Sequence, residues 1–77
     1  MSLRIKDLKP GESVIIDSYT KDSKFHRKKL LAMGLTPGTE FTLLRIAPLG
    51  DPVEILIRGS TLSLRKSECD IIILKSA

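Results

Sequence analysis

At 77 residues, with one cysteine and a net charge of +4, the chain has room for one domain and can form no internal disulfide. No stretch approaches the roughly 20 apolar residues of a membrane span, and no apolar run marks a secretory leader, so a soluble cytoplasmic protein is expected. A chain this short buries only about 60% of its unfolded surface. Its core must therefore come from the plentiful Leu and Ile, since Tyr19, Phe25 and Phe41 are the only aromatic residues.

In chain order, Leu3, Ile5 and Leu8 suit a short helical turn or a strand packed by its apolar side. Lys9-Pro10-Gly11-Glu12 makes a turn into Val14-Ile15-Ile16, the expected first strand, and residues 17–21 are polar and read as a loop. Asp22 or Ser23 can cap a helix over about residues 24–33, with Phe25, Leu30, Leu31 and Met33 on its apolar side. A helix of about three turns is marginal alone and must pack against something. Gly34 suits the left-handed position after that helix, and Leu35 is placed to fold back onto Leu30. Thr36-Pro37-Gly38-Thr39 has Pro second and Gly third, the type II arrangement, and echoes the turn at Pro10-Gly11. The flanking residues do not align, so this is repeated turn chemistry rather than a sequence repeat.

The second half alternates more regularly. Phe41, Leu43 and Arg45 alternate with Thr42, Leu44 and Ile46 in a strand apolar on much of both faces. Pro48-Leu49-Gly50-Asp51-Pro52 is a turn, and Val53, Ile55 and Ile57 form the apolar side of a half-buried strand. Arg58-Gly59-Ser60 reverses the chain into a short strand carrying Leu62 and Leu64. Residues 65–69 suit a single 3₁₀ turn before a last strand over residues 70–74. Five short strands at close spacing favour a mainly β fold, a small SH3-like antiparallel β-barrel with the helix inserted between strands one and two. Closing the sheet would protect its edges from aggregation.

The charge is local. Residues 21–29 hold five basic side chains against one acidic, and eight of each sign are spread over the rest of the chain. Lys24, Arg27 and Lys28, at spacings of three and four, share one helical face, and Lys29 adjoins them. These four are candidate contacts for an acidic protein surface or anionic headgroups; the alternative is a solvated face that aids solubility. Like charges so close oppose helix formation, so compensation is needed, by a partner or by an acidic neighbour such as Asp17 or Asp22. Pro48 and Leu49 are the second candidate: prolines stiffen the loop, and Leu49 at its tip either covers one barrel end or enters a partner's pocket. Grooves for proline-rich peptides are lined by aromatic residues, which three scattered rings cannot supply. No Gly-rich phosphate loop and no nucleophile–base–acid constellation appears, so no catalytic residue and no cofactor is expected. Ser60-Thr61-Leu62-Ser63 reads as the polar face of a strand.

Three runs carry a family resemblance: Lys29-Leu30-Leu31-Ala32-Met33-Gly34-Leu35-Thr36-Pro37-Gly38-Thr39, Arg45-Ile46-Ala47-Pro48-Leu49-Gly50-Asp51-Pro52 and Leu62-Ser63-Leu64-Arg65-Lys66-Ser67-Glu68. In this order they resemble the FeoA family, over nearly the whole chain, residues 1–77 forming one such domain. The resemblance implies an SH3-like barrel in which Gly34, Leu35, Pro37, Gly38, Gly50, Asp51 and Pro52 are architectural. It also implies a non-enzymatic cytoplasmic accessory of ferrous-iron uptake. Its partner would be FeoB, the permease with a cytoplasmic GTPase domain, and membrane contact would be indirect, through that partner. A similar barrel occurs in iron-dependent repressors, whose helix-turn-helix part this chain has no room for. His26 and Cys69, with Glu68 or Asp70, are chemically possible Fe²⁺ ligands, yet 43 positions separate the His from the Cys and no ligand spacing results. No metal site is expected; many relatives resemble one another in a small apolar residue where Cys69 stands. The alternatives are a small basic nucleic-acid-binding barrel, which lacks aromatic residues interleaved with its charge, and an iron chaperone. Self-association through an exposed barrel edge is a further possibility for the fold.

Overall fold

The computed structural model describes residues 3–20 and 24–77, with Phe25 described by its backbone alone. The chain forms a 3₁₀ turn (Ile5–Asp7), then β1 (Ser13–Tyr19), α1 (Lys24–Ala32), β2 (Glu40–Ile46), β3 (Val53–Ile57), β4 (Ser60–Leu64), α2 (Lys66–Cys69) and β5 (Ile72–Ser76). The five strands make one antiparallel sheet in the order β4-β3-β2-β1-β5. The fold is SH3-like with a helical insertion, as the pattern predicts, but the sheet is not strictly closed and β4 and β5 are its edges.

Alternation explains the core. Val14 and Ile16, Phe41 and Leu43, Val53, Ile55 and Ile57, Leu64, and Ile72 and Leu74 all face inward and are buried. Ile5, Leu8, Leu30, Leu35 and Cys69 close the cluster from the helical segments. Each large apolar side chain buried this way contributes about 1.5–3 kcal/mol before entropy is charged against it.

The two Pro-Gly turns hold opposite ends of one strand pair. β1 and β2 pair with Val14 opposite Phe41. Before β1, the Glu12 N–H closes onto the Lys9 carbonyl, with Gly11 at φ +94°. The Gly11 N–H donates to the Leu43 carbonyl at 2.7 Å, and the Leu43 N–H returns to the Glu12 carbonyl at 2.9 Å. Before β2, Gly38 at φ +90° donates to the Ile16 carbonyl at 2.7 Å, and the Ile16 N–H returns to the Thr39 carbonyl at 2.9 Å. The repeated turn chemistry is thus one device used twice: each turn satisfies backbone groups that the neighbouring strand would leave bare.

The α1 terminus forms the expected corner. The Gly34 N–H donates to the Leu31 carbonyl and the Leu35 N–H to the Leu30 carbonyl, both at 3.0 Å, the paired bonds of a Schellman motif. Leu30 and Leu35 are both fully buried. The Tyr19 hydroxyl donates to the Leu35 carbonyl, tying the corner to β1.

Several expectations need correction. Residues 17–19, read as loop, continue β1: the register against β5 shifts between Ile16 and Ser18, so the polar Asp17 is accommodated as a bulge. Leu44 likewise occupies a register shift between Leu43 and Arg45, which explains why this apolar residue is exposed. Residues 66–69 form an α-helical turn rather than a 3₁₀ turn, and Asp70 caps it, so the last strand begins at Ile72 and not at residue 70. Leu31, assigned to the apolar side of α1, is 39% exposed, because it points about 100° around the helix from the fully buried Leu30. The proposed caps Asp22 and Ser23, and the basic Lys21, lie outside the described residues.

Candidate docking surface

α1 presents Lys24 and Lys28 to solvent, with Arg27 half-buried beside them. Lys29 behaves differently. Its Nζ sits 2.8 Å from Glu68 Oε2, and the Glu68 side chain is only 5% exposed, whereas that of Lys29 is 57% exposed. Glu68 Oε1 accepts the Arg65 N–H at 2.8 Å, closing the first turn of α2. The Lys29 hydrogen bond holds the Glu68 carboxyl below its ordinary value near 4.5, against the opposing effect of burial; the Arg65 N–H and the charge of nearby His26 act in the same direction as Lys29. Glu68 therefore supplies part of the compensation that the crowded basic segment needs. The sequence expectation looked to Asp17 or Asp22 for this. The signal that would have found Glu68 is its position three residues after Arg65, the spacing at which a carboxylate reaches back to a helix-starting N–H.

The loop over residues 47–52 is fixed at its base. The Gly50 N–H donates to the Ala47 carbonyl at 2.7 Å, with Gly50 at φ +84°, and the Ala47 N–H donates to the Pro52 carbonyl at 3.1 Å. The Asp51–Pro52 peptide bond is cis. Asp51 Oδ1 accepts the Lys66 N–H at 3.1 Å, so this carboxylate caps the same helical turn that Glu68 closes. Pro48 is exposed, and Leu49 is 92% exposed at the loop tip. Of the two readings for Leu49, covering a barrel end is not what the fold uses it for.

The architectural residues Gly34, Leu35, Pro37, Gly38, Gly50, Asp51 and Pro52 all fall in the corner or in this loop base. The structure joins the two candidate contact regions through α2: Lys29 binds it from α1, and Asp51 binds it from the loop.

The possible metal donors do not converge. Burial pushes the Cys69 thiol up to about 12, helped by the charges of Asp70, Glu68 and Asp51. It is held as a thiol, the weak form for metal ligation. Both Glu68 oxygens already have partners. Among the described residues, no three of His, Cys, Asp and Glu gather into a metal-holding group. No helix among them is long and apolar enough to cross a membrane.

An open SH3-like sheet bearing an inserted basic helix and a projecting loop defines a small β domain of SH3-like class. A family model described as the FeoA domain matches residues 3–76, and the chain belongs to the FeoA family. It is 33% identical over 66 residues to an "Fe(2+) transport protein A/Fe(2+) transporter FeoB fusion protein" of Porphyromonas gingivalis, a match covering 86% of this chain and 8% of that protein. The chain thus spans under a tenth of the length of that relative. The NMR structure of an FeoA-like protein from Clostridium acetobutylicum superposes with a TM-score of 0.85 at 33% identity, over 97% of this chain and 86% of that one. A manganese-dependent transcriptional repressor superposes with a TM-score of 0.89 at 11% identity, over 99% of this chain and 37% of that one, a likeness of fold alone. The family and the SH3-like fold implied by the three sequence runs are therefore correct.

Proposed function

We propose that the protein is a non-enzymatic accessory of ferrous-iron transport that docks on the cytoplasmic, GTPase-containing part of an FeoB-type permease. The observation that carries this reading is the fusion protein, in which a domain similar to this chain is covalently joined to FeoB. A fusion replaces affinity by effective concentration; a separate chain must instead carry its affinity in its surface. Lys24, Arg27 and Lys28 supply a basic face that steers an acidic partner into place. Pro48 and Leu49 supply a rigid apolar tip that loses little entropy on entering a pocket. Lys29, occupied by Glu68, positions the helix rather than touching the partner. Docking alters uptake or GTP hydrolysis only if the protein binds one conformation of FeoB more tightly than another. The protein works in the cytoplasm and reaches the membrane through FeoB.

The test is calorimetric titration of full-length FeoB in nanodiscs, with GDP and with a GTP analogue. Binding in at least one nucleotide state, weakened by combined charge reversal at Lys24, Arg27 and Lys28, is expected. No binding in any state overturns the reading, and unchanged binding after charge reversal removes α1 from the contact.

A further inference from the structure

The two edges of the sheet are treated differently. On β5, the Leu74 N–H donates to the Leu3 carbonyl at 2.8 Å, so the N-terminal segment straps that edge, and Lys75 adds a charge to it. β4 is bare. It pairs with β3 in unbroken register from Val53–Leu64 to Ile57–Ser60, and it carries no proline, charge or bulge of the kinds that usually guard an edge. The hairpin turn is the two residues Arg58 and Gly59, at φ 51° and 79°, the left-handed pair of a type I′ turn. That turn makes Ile57–Ser60 a hydrogen-bonded pair, and alternation then directs the backbone of Ser60, Leu62 and Leu64 toward β3. The N–H and C=O groups of Thr61 and Ser63 point away from the sheet. Among the described residues, no backbone bond from a turn or loop reaches them.

The surroundings of this edge are specific. Leu62 is half-buried and lines a groove with Ile57, Met33 and Gly34, the last two from the corner that follows α1. Exposed Arg58 stands before one end of β4, and exposed Arg65 and Lys66 stand beyond the other, so the five-residue strand between them spans about 17 Å at the rise of an extended strand. We infer that β4 accepts an extended segment of a partner protein as a sixth, antiparallel strand, apolar at its centre and acidic at both ends. The segment's central side chain lies opposite Leu62 and enters the groove against Met33, while its backbone pairs with Thr61 and Ser63. The flanking cations select acidic ends. They also disfavour a second copy of this chain, because symmetric pairing about Leu62 brings Arg58 of one copy beside Lys66 of the other. This surface is centred on β4 and includes none of Lys24, Arg27, Lys28 or Leu49.

The test titrates the ¹⁵N-labelled full chain with the acetylated, amidated peptide Glu-Glu-Val-Thr-Val-Thr-Val-Glu-Glu and with the same peptide carrying Lys at its four acidic positions. The acidic peptide is expected to bind in the submillimolar range, shifting the amides of residues 60–64, 33 and 34 and slowing hydrogen exchange at Thr61 and Ser63. The Lys peptide is expected to bind about tenfold or more weakly, a difference of about 1.4 kcal/mol. Thr61→Pro removes an outward donor that β3 does not use, so it should abolish binding while the remaining spectrum persists. Lys66→Glu, which leaves the backbone bond to Asp51 in place, should weaken binding with no loss of fold. Absence of shifts in β4 at millimolar peptide overturns the inference, as do shifts confined to α1 or equal binding of the two peptides. Slow exchange at Thr61 and Ser63 without peptide, with a doubled molecular mass, assigns the edge to a second copy and overturns it as well.

Discussion

The contact between Lys29 and Glu68 can be isolated by a double-mutant cycle of Lys29→Met, Glu68→Gln and the combined variant. The carboxylate is nearly buried and the ammonium is more than half exposed. The coupling should therefore lie between the about 0.2–1 kcal/mol of exposed pairs and the 3–5 kcal/mol lost on breaking fully buried ones. About 1–2 kcal/mol is expected, since Glu68 keeps the Arg65 N–H when Lys29 is replaced. In a domain of this size each kcal/mol moves the melting temperature by about 4–8 °C. Urea denaturation followed by circular dichroism measures the four stabilities. The pH dependence has a definite sign. Glu68 has a lowered value in the folded state, so its stabilisation is complete above the ordinary value near 4.5 and is lost as pH falls through the lowered one. Lys29→Met should therefore be costly near neutrality and nearly silent once the pH has fallen below the lowered value, where the carboxyl is protonated in both states. A coupling of less than a few tenths of a kcal/mol, or one that survives in acid, would refute the argument. So would a loss of FeoB binding by folded Lys29→Met as large as that from charge reversal at Lys24, Arg27 and Lys28.

Gly34→Ala should cost about 1–2 kcal/mol through backbone strain alone, because Gly34 lies at φ +93° and nothing stands within 4 Å of an added Cβ; a synthetic chain with D-Ala at position 34 should recover that loss in thermal denaturation. Leu49→Ala should leave stability within about 0.5 kcal/mol while weakening FeoB binding in the same titration, given the exposure of Leu49. Cys69 should resist a thiol-directed reagent in the native protein and react as urea unfolds it, since the thiol is buried and held near 12; rapid native labelling would show that the pocket opens.

What was legible in the sequence was local chemistry. Gly34, Pro37 and Gly38 announce their turns because few other residues suit those backbone positions, and the alternation from Val53 to Leu64 predicts β3 and β4 with correct boundaries within a residue. Boundaries failed where tertiary pairing overrides local polarity. Asp17 reads as loop, yet β5 recruits the segment around it by absorbing that one residue as a bulge. The candidate surface was half legible. Clustered charge shows that residues 24–29 are unusual, but it cannot tell Lys29, which faces a buried carboxylate 39 positions away, from Lys28, which faces water. Leu49 posed the same difficulty: an apolar loop tip looks alike whether it folds inward or stands clear. Edge status is the least legible of all, because Ser60-Thr61-Leu62-Ser63 reads the same in a central strand and a bare one.

One turn of helix then accounts for how two separated regions could act together. The Arg65 N–H is taken by Glu68 and the Lys66 N–H by Asp51, so two adjacent donors of α2 are held by carboxylates, one gripped by α1 and the other belonging to the Leu49 loop. At 1.5 Å rise per residue these anchors are almost coincident along the helix axis. The Lys29–Glu68 pair and the Asp51 bond thus connect α1 to the base of the loop through this one turn. A partner that binds both the basic face and Leu49 meets a surface already set at one angle. It gives up little ordering entropy in the protein, and the binding free energy is left to discriminate between the partner's own conformations. Replacing Asp51 by Ala should decouple the two regions: the expected outcome is cooperative contributions to affinity from Leu49 and from Lys24, Arg27 and Lys28 in the parent protein, and additive ones in the variant. A mutant cycle between Leu49→Ala and the charge reversal, run with and without Asp51→Ala, measures that difference. A coupling that persists undiminished without Asp51 would place the connection elsewhere in the fold.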